Sequence, residues 1–230
     1  MENLQDDNRS QIESLLVRGY SQKALLFIQD RINNEPKINY WYRLKLYALV
    51  DRYQIGEIRK LITVIHSNFP NSVESLIADA FVTGLNFKET TGRLMAARNL
   101  DCSDPFLSYL IGKICFFQGL FDDAFTNFQE CLALNQNFFL AMNFYGACLS
   151  MFGYYGLASK QFKCLYINDV AFNKRELLTK TLVCHWVNQK QELAELYFEP
   201  DERNTFYETS NMMLKYFVDH MSDSLRFIME

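Results

Sequence analysis

The sequence predicts an all-α fold, a superhelix of antiparallel helix pairs, and three observations support that prediction. Only four prolines and nine glycines interrupt 230 residues, so long helices are expected. The composition is 49% hydrophobic and 15% aromatic, which suits helices that pack on both flanks. One pattern also occurs twice, because Gly112, Gly119, Phe121, Ala124 and Phe128 recur 34 residues later as Gly146, Gly153, Tyr155, Ala158 and Phe162.

A period of 34 residues is that of tetratricopeptide (TPR) repeats, in which each repeat is a helix–turn–helix. In the first copy, Gly112 on the first helix permits the second helix to come close at Ala124. Gly119 falls where the first helix must end, and glycine adopts the left-handed conformation there without a steric penalty. Phe128 then fills the space between the two helices. The second copy repeats these roles, so we predict a TPR superhelix.

The amino-terminal repeats are less regular than this pair. Residues 1–8 are expected to be a frayed acidic tail, after which Asn8 or Ser10 caps a helix. That helix carries an apolar stripe at helical spacing, made by Ile12, Leu15 and Leu16. Gly19 ends the helix, and a first, degenerate repeat is predicted over residues 8–36.

The second and third repeats are predicted over residues 38–70 and 71–102. The second has Trp41 near the position where the TPR pattern often has tryptophan, but Lys45 stands near the expected glycine. The third has a long or loose connection around residues 84–92. Its return helix is therefore expected to be short.

The later repeats follow the same period. They are predicted over residues 105–138, 139–172 and 173–199, with terminal helices over residues 201–229. In the repeat over 173–199, the first helix is expected to run to Val187 and a short partner helix to begin at Glu192. The first terminal helix is amphipathic, with apolar residues Phe206, Tyr207, Met212, Met213, Tyr216 and Phe217. A solenoid normally ends in a polar cap, so we expect this chain to be the front of a longer array or to have its apolar end covered.

Composition and charge exclude several classes of protein. The net charge of −4 and the lack of a basic run argue against nucleic acid or an anionic membrane as partner. The acidic, polar start does not resemble a signal peptide, and no stretch reaches the length of a membrane span. Six cysteines form no C-x-x-C pair, so reduced core thiols in the nucleus or cytoplasm are expected.

No catalytic or cofactor motif is apparent. The three histidines lack a second histidine at ligand spacing. Cys184 and His185 are adjacent on one predicted helix, where side chains diverge by about 100°, so they cannot act together as nucleophile and base. Asp122 and Asp123 open a helix and complement its dipole. We predict a protein that is not an enzyme and that binds no metal, cofactor or small-molecule substrate.

The repeat pattern predicts a groove for protein binding. First helices of stacked pairs line a concave surface, and the register places there Phe106, Tyr109, Lys113, Phe116, Phe117, Leu140, Asn143 and Met151. Any one of these aromatics could instead pack against a neighbouring helix. As a group they predict an apolar groove, which a helical or extended segment should cover.

A carboxylate clamp is an alternative use of the same groove. Chaperone-binding TPR domains hold a terminal carboxylate with Lys, Arg and Asn residues on successive first helices. Lys113, Asn143 and Lys174 match that set in part. The corresponding function is that of a peptide-binding adaptor or cochaperone-like domain that recognises the tail of a partner.

One segment is more specific than the generic repeat. GKICFFQGLFDDAFTNFQECLALNQNFFLAMNFYGACLSMFG, from Gly112 to Gly153, resembles the amino-terminal region of the third subunit of the anaphase-promoting complex (APC/C), a cell-cycle ubiquitin ligase. The front stretch IESLLVRGYSQKALLFIQDRI resembles the opening helical pair of that family. The similarity covers residues 10–165. Gln136 stands where the family has a proline, and the family's carboxy-terminal superhelix, with its coactivator groove, is absent.

The resemblance implies a scaffold in the nucleus and cytoplasm that binds other ubiquitin-ligase subunits. The front half of that family is a homodimerisation module, in which the opening helices of each protomer enter the groove of its mate. On this implication, Ile12, Leu15 and Leu16 are the inserted residues, and the aromatic groove of a second copy receives them in an isologous contact.

Overall fold

The computed structural model describes residues 2–81 and 87–197, with the side chains of residues 9–81 and 87–189. Regular structure in those ranges consists of eleven α-helices without a strand. They are α1 (Glu2–Val17), α2 (Ser21–Asn34), α3 (Asn39–Asp51), α4 (Ile55–Asn68), α5 (Val73–Asp79), α6 (Phe87–Leu100), α7 (Pro105–Phe117), α8 (Phe121–Leu134), α9 (Phe139–Met151), α10 (Tyr155–Ile167) and α11 (Lys174–Tyr197). The predicted terminal helices over 201–229 lie outside the described residues.

The chain divides into two compact units, Met1–Ala141 and Met142–Glu230, with the boundary inside α9. The first unit contains α1 to α8, and helices that follow one another in sequence pack together. The second unit contains the rest of α9, α10 and α11, and in it α10 packs along α11. The all-α architecture of helix pairs is the one that the repeat pattern predicts.

The turn glycines behave as the sequence predicts. Gly119 and Gly153 have φ angles of +76° and +81°, in the left-handed region that favours glycine. Gly19 has the same conformation at φ +85°. The second repeat makes the equivalent turn with Tyr53 at φ +53°, 34 residues after Gly19, so a non-glycine residue takes a left-handed position there.

The glycine on each regular first helix makes room for an aromatic ring. A Cβ added to Gly112 would lie 2.9 Å from Phe128 Cε1, and one added to Gly146 would lie 2.9 Å from Phe162 Cε1. The sequence predicted that α8 comes closest to Gly112 at Ala124. The structure instead places the ring of Phe128, one helical turn after Ala124, against Gly112. Both rings are buried.

Three expected helix boundaries were wrong. The first helix begins at Glu2 rather than after a cap at Asn8 or Ser10. In the third repeat the return helix α6 is full-length, with 14 residues, and the first helix α5 has only seven. The predicted break between Val187 and Glu192 is absent because α11 is one helix of 24 residues, and neither glycine nor proline occurs within it.

Candidate protein-binding groove

Helix α7 is the centre of the candidate groove because almost all of its residues are apolar. Asp104 caps the helix by accepting a hydrogen bond from Phe106 N at 2.9 Å, and Pro105 occupies the first turn. The remaining sequence of α7, FLSYLIGKICFF, is too apolar to leave one face in water. Phe106 and Tyr109 are consequently buried within the single chain.

An aromatic side chain of α3 packs on one of α7. The Tyr47 ring stacks on the Phe106 ring, with centroids 4.8 Å apart and an angle of 13° between the planes. Phe138 completes the aromatic cluster, at 4.7 Å from Phe106 and 5.0 Å from Tyr109. Of the three helices between them in sequence, α5 is the shortest, with seven residues.

Leu16 of the first helix closes this face of α7. A cavity of only about 10 Å³ remains, lined by Leu16, Ser21, Tyr47, Asp51, Phe106, Tyr109, Leu110, Lys113 and Leu140. Leu16 is 2% exposed. The guanidinium of Arg18 lies 5.5 Å from the centroid of the Phe139 ring, which extends the contact beyond the cavity. Leu16 of the first helix therefore packs with those predicted groove residues that line this cavity.

A polar chain of three residues lies at the edge of the cavity. Ser21 Oγ donates a hydrogen bond to Asp51 Oδ2 at 2.7 Å. Lys113 Nζ lies 3.7 Å from Asp51 Oδ1 and 5.0 Å from the centroid of the Tyr53 ring. Burial, assisted by the Asp51 charge, raises the pKa of the Tyr109 hydroxyl well above its ordinary value. Tyr109 therefore stays neutral at physiological pH.

The structure brings together part of the predicted set. Phe106, Tyr109, Lys113 and Leu140 line the cavity with Leu16, and these aromatics pack against neighbouring helices, the alternative that the sequence left open. Ile12 is buried too, and Leu15 is half-buried.

The other predicted groove residues lie elsewhere. Phe116 is half-buried and meets Phe117 and Phe121 edge-on, whereas Phe117 is 40% exposed. Asn143 and Met151 belong to the second unit, where Met151 is exposed at the end of α9.

The three residues of the alternative carboxylate clamp already have partners within the chain. Lys113 pairs with Asp51. Asn143 Oδ1 accepts a hydrogen bond from Lys180 Nζ at 3.3 Å. Lys174 Nζ donates to backbone carbonyls at the end of α10, those of Leu165, Tyr166 and Asn168. A ligand carboxylate would have to compete with these contacts.

Sequence reasoning missed a buried ionic cluster around Arg43 in the first unit. Arg43 Nε and Nη2 donate to Glu74 Oε1 at 2.8 and 2.6 Å. Its Nη1 donates to Asp101 Oδ2 at 2.6 Å and to Asp104 Oδ2 at 3.2 Å. Tyr47 donates its hydroxyl to Asp104 Oδ2 at 2.7 Å. The cluster thus joins α3 to α5 and to the segment that caps α7.

The cluster's charge is unbalanced, with one guanidinium facing three carboxylates. Burial raises the pKa of the Asp104 carboxyl above its ordinary value, although hydrogen bonds from Tyr47 and Arg43 act in the opposite direction. Burial also raises the pKa of Asp101, but the hydrogen bonds from Arg43 and Ser103 lower it by more. The pKa of Asp101 is therefore below its ordinary value. The only signal in the sequence is an arginine within the apolar run of α3, NYWYRLKLYALV.

In the part of the chain that the structure describes, no cluster of His, Cys, Asp or Glu has the arrangement to hold a metal ion. None of the described helices is both long enough and apolar enough to cross a membrane.

Comparison with known proteins shows the fold. No family model and no curated protein matches the chain. The solved structure of a TPR protein from Thermus thermophilus superposes with a TM-score of 0.53 at 11% identity, over 79% of this chain and 98% of that one. A chain of the APC/C hetero-tetramer Cut9–Hcn1 superposes with a TM-score of 0.59 at 14% identity, over 91% of this chain and 38% of that chain. The protein has an all-α TPR fold.

Proposed function

We propose that this chain is a homodimerising TPR scaffold subunit of the anaphase-promoting complex that binds other subunits and catalyses no reaction. The observation that carries the proposal is the fit between the stripe on the first helix and the face of α7. Leu16 lines one cavity with Phe106, Tyr109 and Leu140, which are residues that the family resemblance assigns to the dimer contact. The resemblance of residues 112–153 supplies the assignment to the complex.

The small size of this cavity determines how a dimer would form. The space of about 10 Å³ is roughly that of one water molecule, so the face of α7 is already largely filled by residues of the same chain. The first helices of a partner enter only if the chain's own first helices leave. Exchange of the α1–α2 pair between two copies would remake the same contacts in the partner, which is the low-cost route of domain swapping. The segment between α2 and α3, residues 35–38, is the hinge for this exchange.

The mass of the full chain in dilute solution tests the dimer. We expect twice the mass of one chain, and two differently tagged copies should purify together after co-expression. Leu16→Asp should abolish the dimer, because it replaces an apolar side chain that packs in the cavity with a carboxylate that burial would desolvate. The matched control is Leu26→Asp, at a residue that is 69% exposed on α2.

Two outcomes contradict this proposal. One is a dimer that survives deletion of residues 1–35, and the other is a dimer that survives Leu16→Asp with unchanged helix content. The assignment to the complex is tested separately, by purifying the tagged chain from its own cells and identifying bound proteins by mass spectrometry. If that sample contained no ubiquitin-ligase subunits, the assignment to the complex would be refuted, whereas the proposed dimer would be unaffected.

A peptide-binding adaptor is the competing function. It requires a monomer whose groove opens to a partner's tail, and it requires Lys113 to exchange Asp51 for a ligand carboxylate. A monomeric chain that binds carboxylate-terminated peptides, and loses them on Lys113→Met, would replace the scaffold proposal.

A further inference from the structure

The connection between α2 and α3 is a tight turn. Residues 35–38 form a β-turn in which Ile38 N donates a hydrogen bond to Glu35 O at 3.2 Å. Pro36 occupies the second position of the turn, which its fixed φ angle favours. This is the segment that has to straighten if the α1–α2 pair leaves its own chain.

Two side chains at the start of α3 bind back to this turn. Trp41 Nε1 donates a hydrogen bond to Glu35 Oε2 at 2.7 Å, and the Tyr42 hydroxyl donates to Pro36 O at 3.1 Å. Trp41 and Tyr42 are both buried, so packing fixes their rings. The Tyr42 ring also meets the Phe69 ring edge-on, with centroids 5.1 Å apart. The turn is therefore tied to side chains that belong to the rest of the first unit and not to the α1–α2 pair.

The neighbouring Tyr40 binds the first helix instead of the turn. Its hydroxyl donates a hydrogen bond to Glu13 Oε1 at 2.6 Å, and the Arg9 guanidinium lies 4.0 Å from the centroid of its ring. This contact joins α3 to α1, so an α1 helix from an exchanged copy would remake it. The hydrogen bonds of Trp41 and Tyr42 differ in this respect, because each needs a chain that folds back on itself within six residues.

The corresponding positions of α7 lack this double tie. By the spacing that separates the left-handed turn residues of the two repeats, Trp41 and Tyr42 correspond to Leu107 and Ser108, 66 residues later. The Leu107 side chain has no hydrogen-bond donor, and Ser108 Oγ donates to Glu130 on α8 rather than to the turn before α7. The tie is thus not a general requirement of a helix pair.

We propose that Trp41 and Tyr42 form a hinge lock, whose hydrogen bonds to Glu35 and Pro36 oppose release of the α1–α2 pair. The hinge lock rests on the proposed function, because it determines the balance between the closed chain and the exchanged dimer. Pro36 is exposed and Glu35 is half-buried, so water can replace either donor once the turn straightens. Each bond therefore contributes modestly, and the hinge lock can open.

The dissociation constant of the full-chain dimer, measured by sedimentation equilibrium, tests the hinge lock. Tyr42→Phe removes one hinge bond from each chain and keeps the ring. One such bond changes an equilibrium by roughly 2- to 10-fold. Because a dimer opens two hinges, the dissociation constant should fall by roughly 4- to 100-fold. Tyr40→Phe is the matched control, since its hydroxyl has the same partner in the closed chain and in the exchanged dimer, and it should leave the constant unchanged.

Amide hydrogen exchange of the full chain tests the hinge lock without a dimer. Tyr42→Phe should speed the exchange of residues 9–34 by roughly 2- to 10-fold, because the α1–α2 pair opens more often. Exchange of residues 105–134, in α7 and α8, should not change. Glu35→Ala removes the acceptor of Trp41 and should act in the same way without altering a buried ring.

Several results would overturn the hinge lock. One is a dissociation constant that Tyr42→Phe leaves unchanged, or that Tyr40→Phe lowers by as much. Another is amide exchange that Tyr42→Phe leaves unchanged, or that rises equally in residues 9–34 and 105–134, since the hydroxyl would then support the whole first unit. A chain that stays monomeric would refute the proposed dimer, whereas faster exchange confined to residues 9–34 would still support the hinge lock.

Discussion

The ring of Phe128 occupies the space that a side chain on Gly112 would need. A Cβ at position 112 would lie 2.9 Å from Phe128 Cε1 and 3.2 Å from Asn127 Cβ. Phe128 is completely buried, so its ring cannot move aside into solvent. The glycine is thus part of the packing between α7 and α8, and the same relation recurs between Gly146 and Phe162.

Gly112→Ala should lower the free energy of unfolding by about 1–3 kcal/mol, because the added methyl overpacks the Phe128 ring. Gly92→Ala is the matched control, inside α6 with no atom within 4 Å of the added Cβ. It should raise stability by about 0.5–1 kcal/mol through helix propensity. Urea unfolding followed by circular dichroism measures both. If the two substitutions changed stability equally, the Phe128 ring would have to move to make room for the added methyl group.

Gly119→Ala tests the backbone of the turn rather than its packing. The added Cβ meets no atom within 4 Å, but the φ of +76° is unfavourable for alanine. We expect a loss of about 1–2 kcal/mol, and a smaller loss for Gly119→Asn because asparagine tolerates this conformation better. Thermal unfolding of both variants measures the difference. A stable alanine variant would mean that the turn changes its conformation.

Arg43→Met should be among the most destabilising substitutions in the first unit. It leaves Glu74 and Asp104 buried without their cation, at a cost of about 3–5 kcal/mol. Adding Glu74→Leu to Arg43→Met should recover part of the loss because one uncompensated carboxylate is removed. Lys60→Met, in an exposed pair with Glu57, is the control and should change little. Denaturant midpoints that are alike for Arg43→Met and Lys60→Met would contradict a structural role for the cluster.

Asp101 should make the protein sensitive to acid. Its pKa is lowered in the folded state, so its contribution to stability is present above its unfolded pKa of about 4 and is lost as the pH falls through the folded value. Asp104 has a raised pKa and acts with the opposite sign, so its contribution is lost as the pH rises.

The acid sensitivity is measured by comparing urea midpoints at acidic and neutral pH. Asp101→Asn should reduce the loss of stability on acidification below about pH 4. Asp30→Asn, on the exposed side of α2, should leave the loss unchanged. If the urea midpoint of Asp101→Asn fell with pH as steeply as that of the natural chain, Asp101 would not contribute to the acid sensitivity.

The six cysteines should differ widely in reactivity. Cys102 is exposed and Cys115, Cys131, Cys148 and Cys184 are buried. Burial raises the pKa of the Cys148 thiol to about 12, so roughly one molecule in ten thousand carries that thiolate at pH 8. Alkylation of the native chain followed by peptide mass spectrometry should modify Cys102 first. Early labelling of Cys148 would reveal local opening of α9.

The turns and the pairing of helices followed from local chemistry. Gly119 and Gly153 adopt the predicted left-handed conformation because that requirement is met within a single residue. The 34-residue period specified antiparallel pairs, since it reflects the length of one helix, one turn and one return helix. An apolar α7 was also evident, because its hydrophobic content is a property of the segment alone.

Contacts between distant residues were decided by the tertiary structure. No local pattern in the sequence places Tyr47 on Phe106, which lies 59 residues further along the chain. Nor does a local pattern pair Arg43 with Glu74 and Asp104, which lie 31 and 61 residues away. The groove was therefore predicted to be covered by a second copy, whereas Leu16 of the same chain lines one cavity with Phe106, Tyr109 and Leu140. Periodicity shows which face of a helix is apolar, but only the packed chain shows what covers that face.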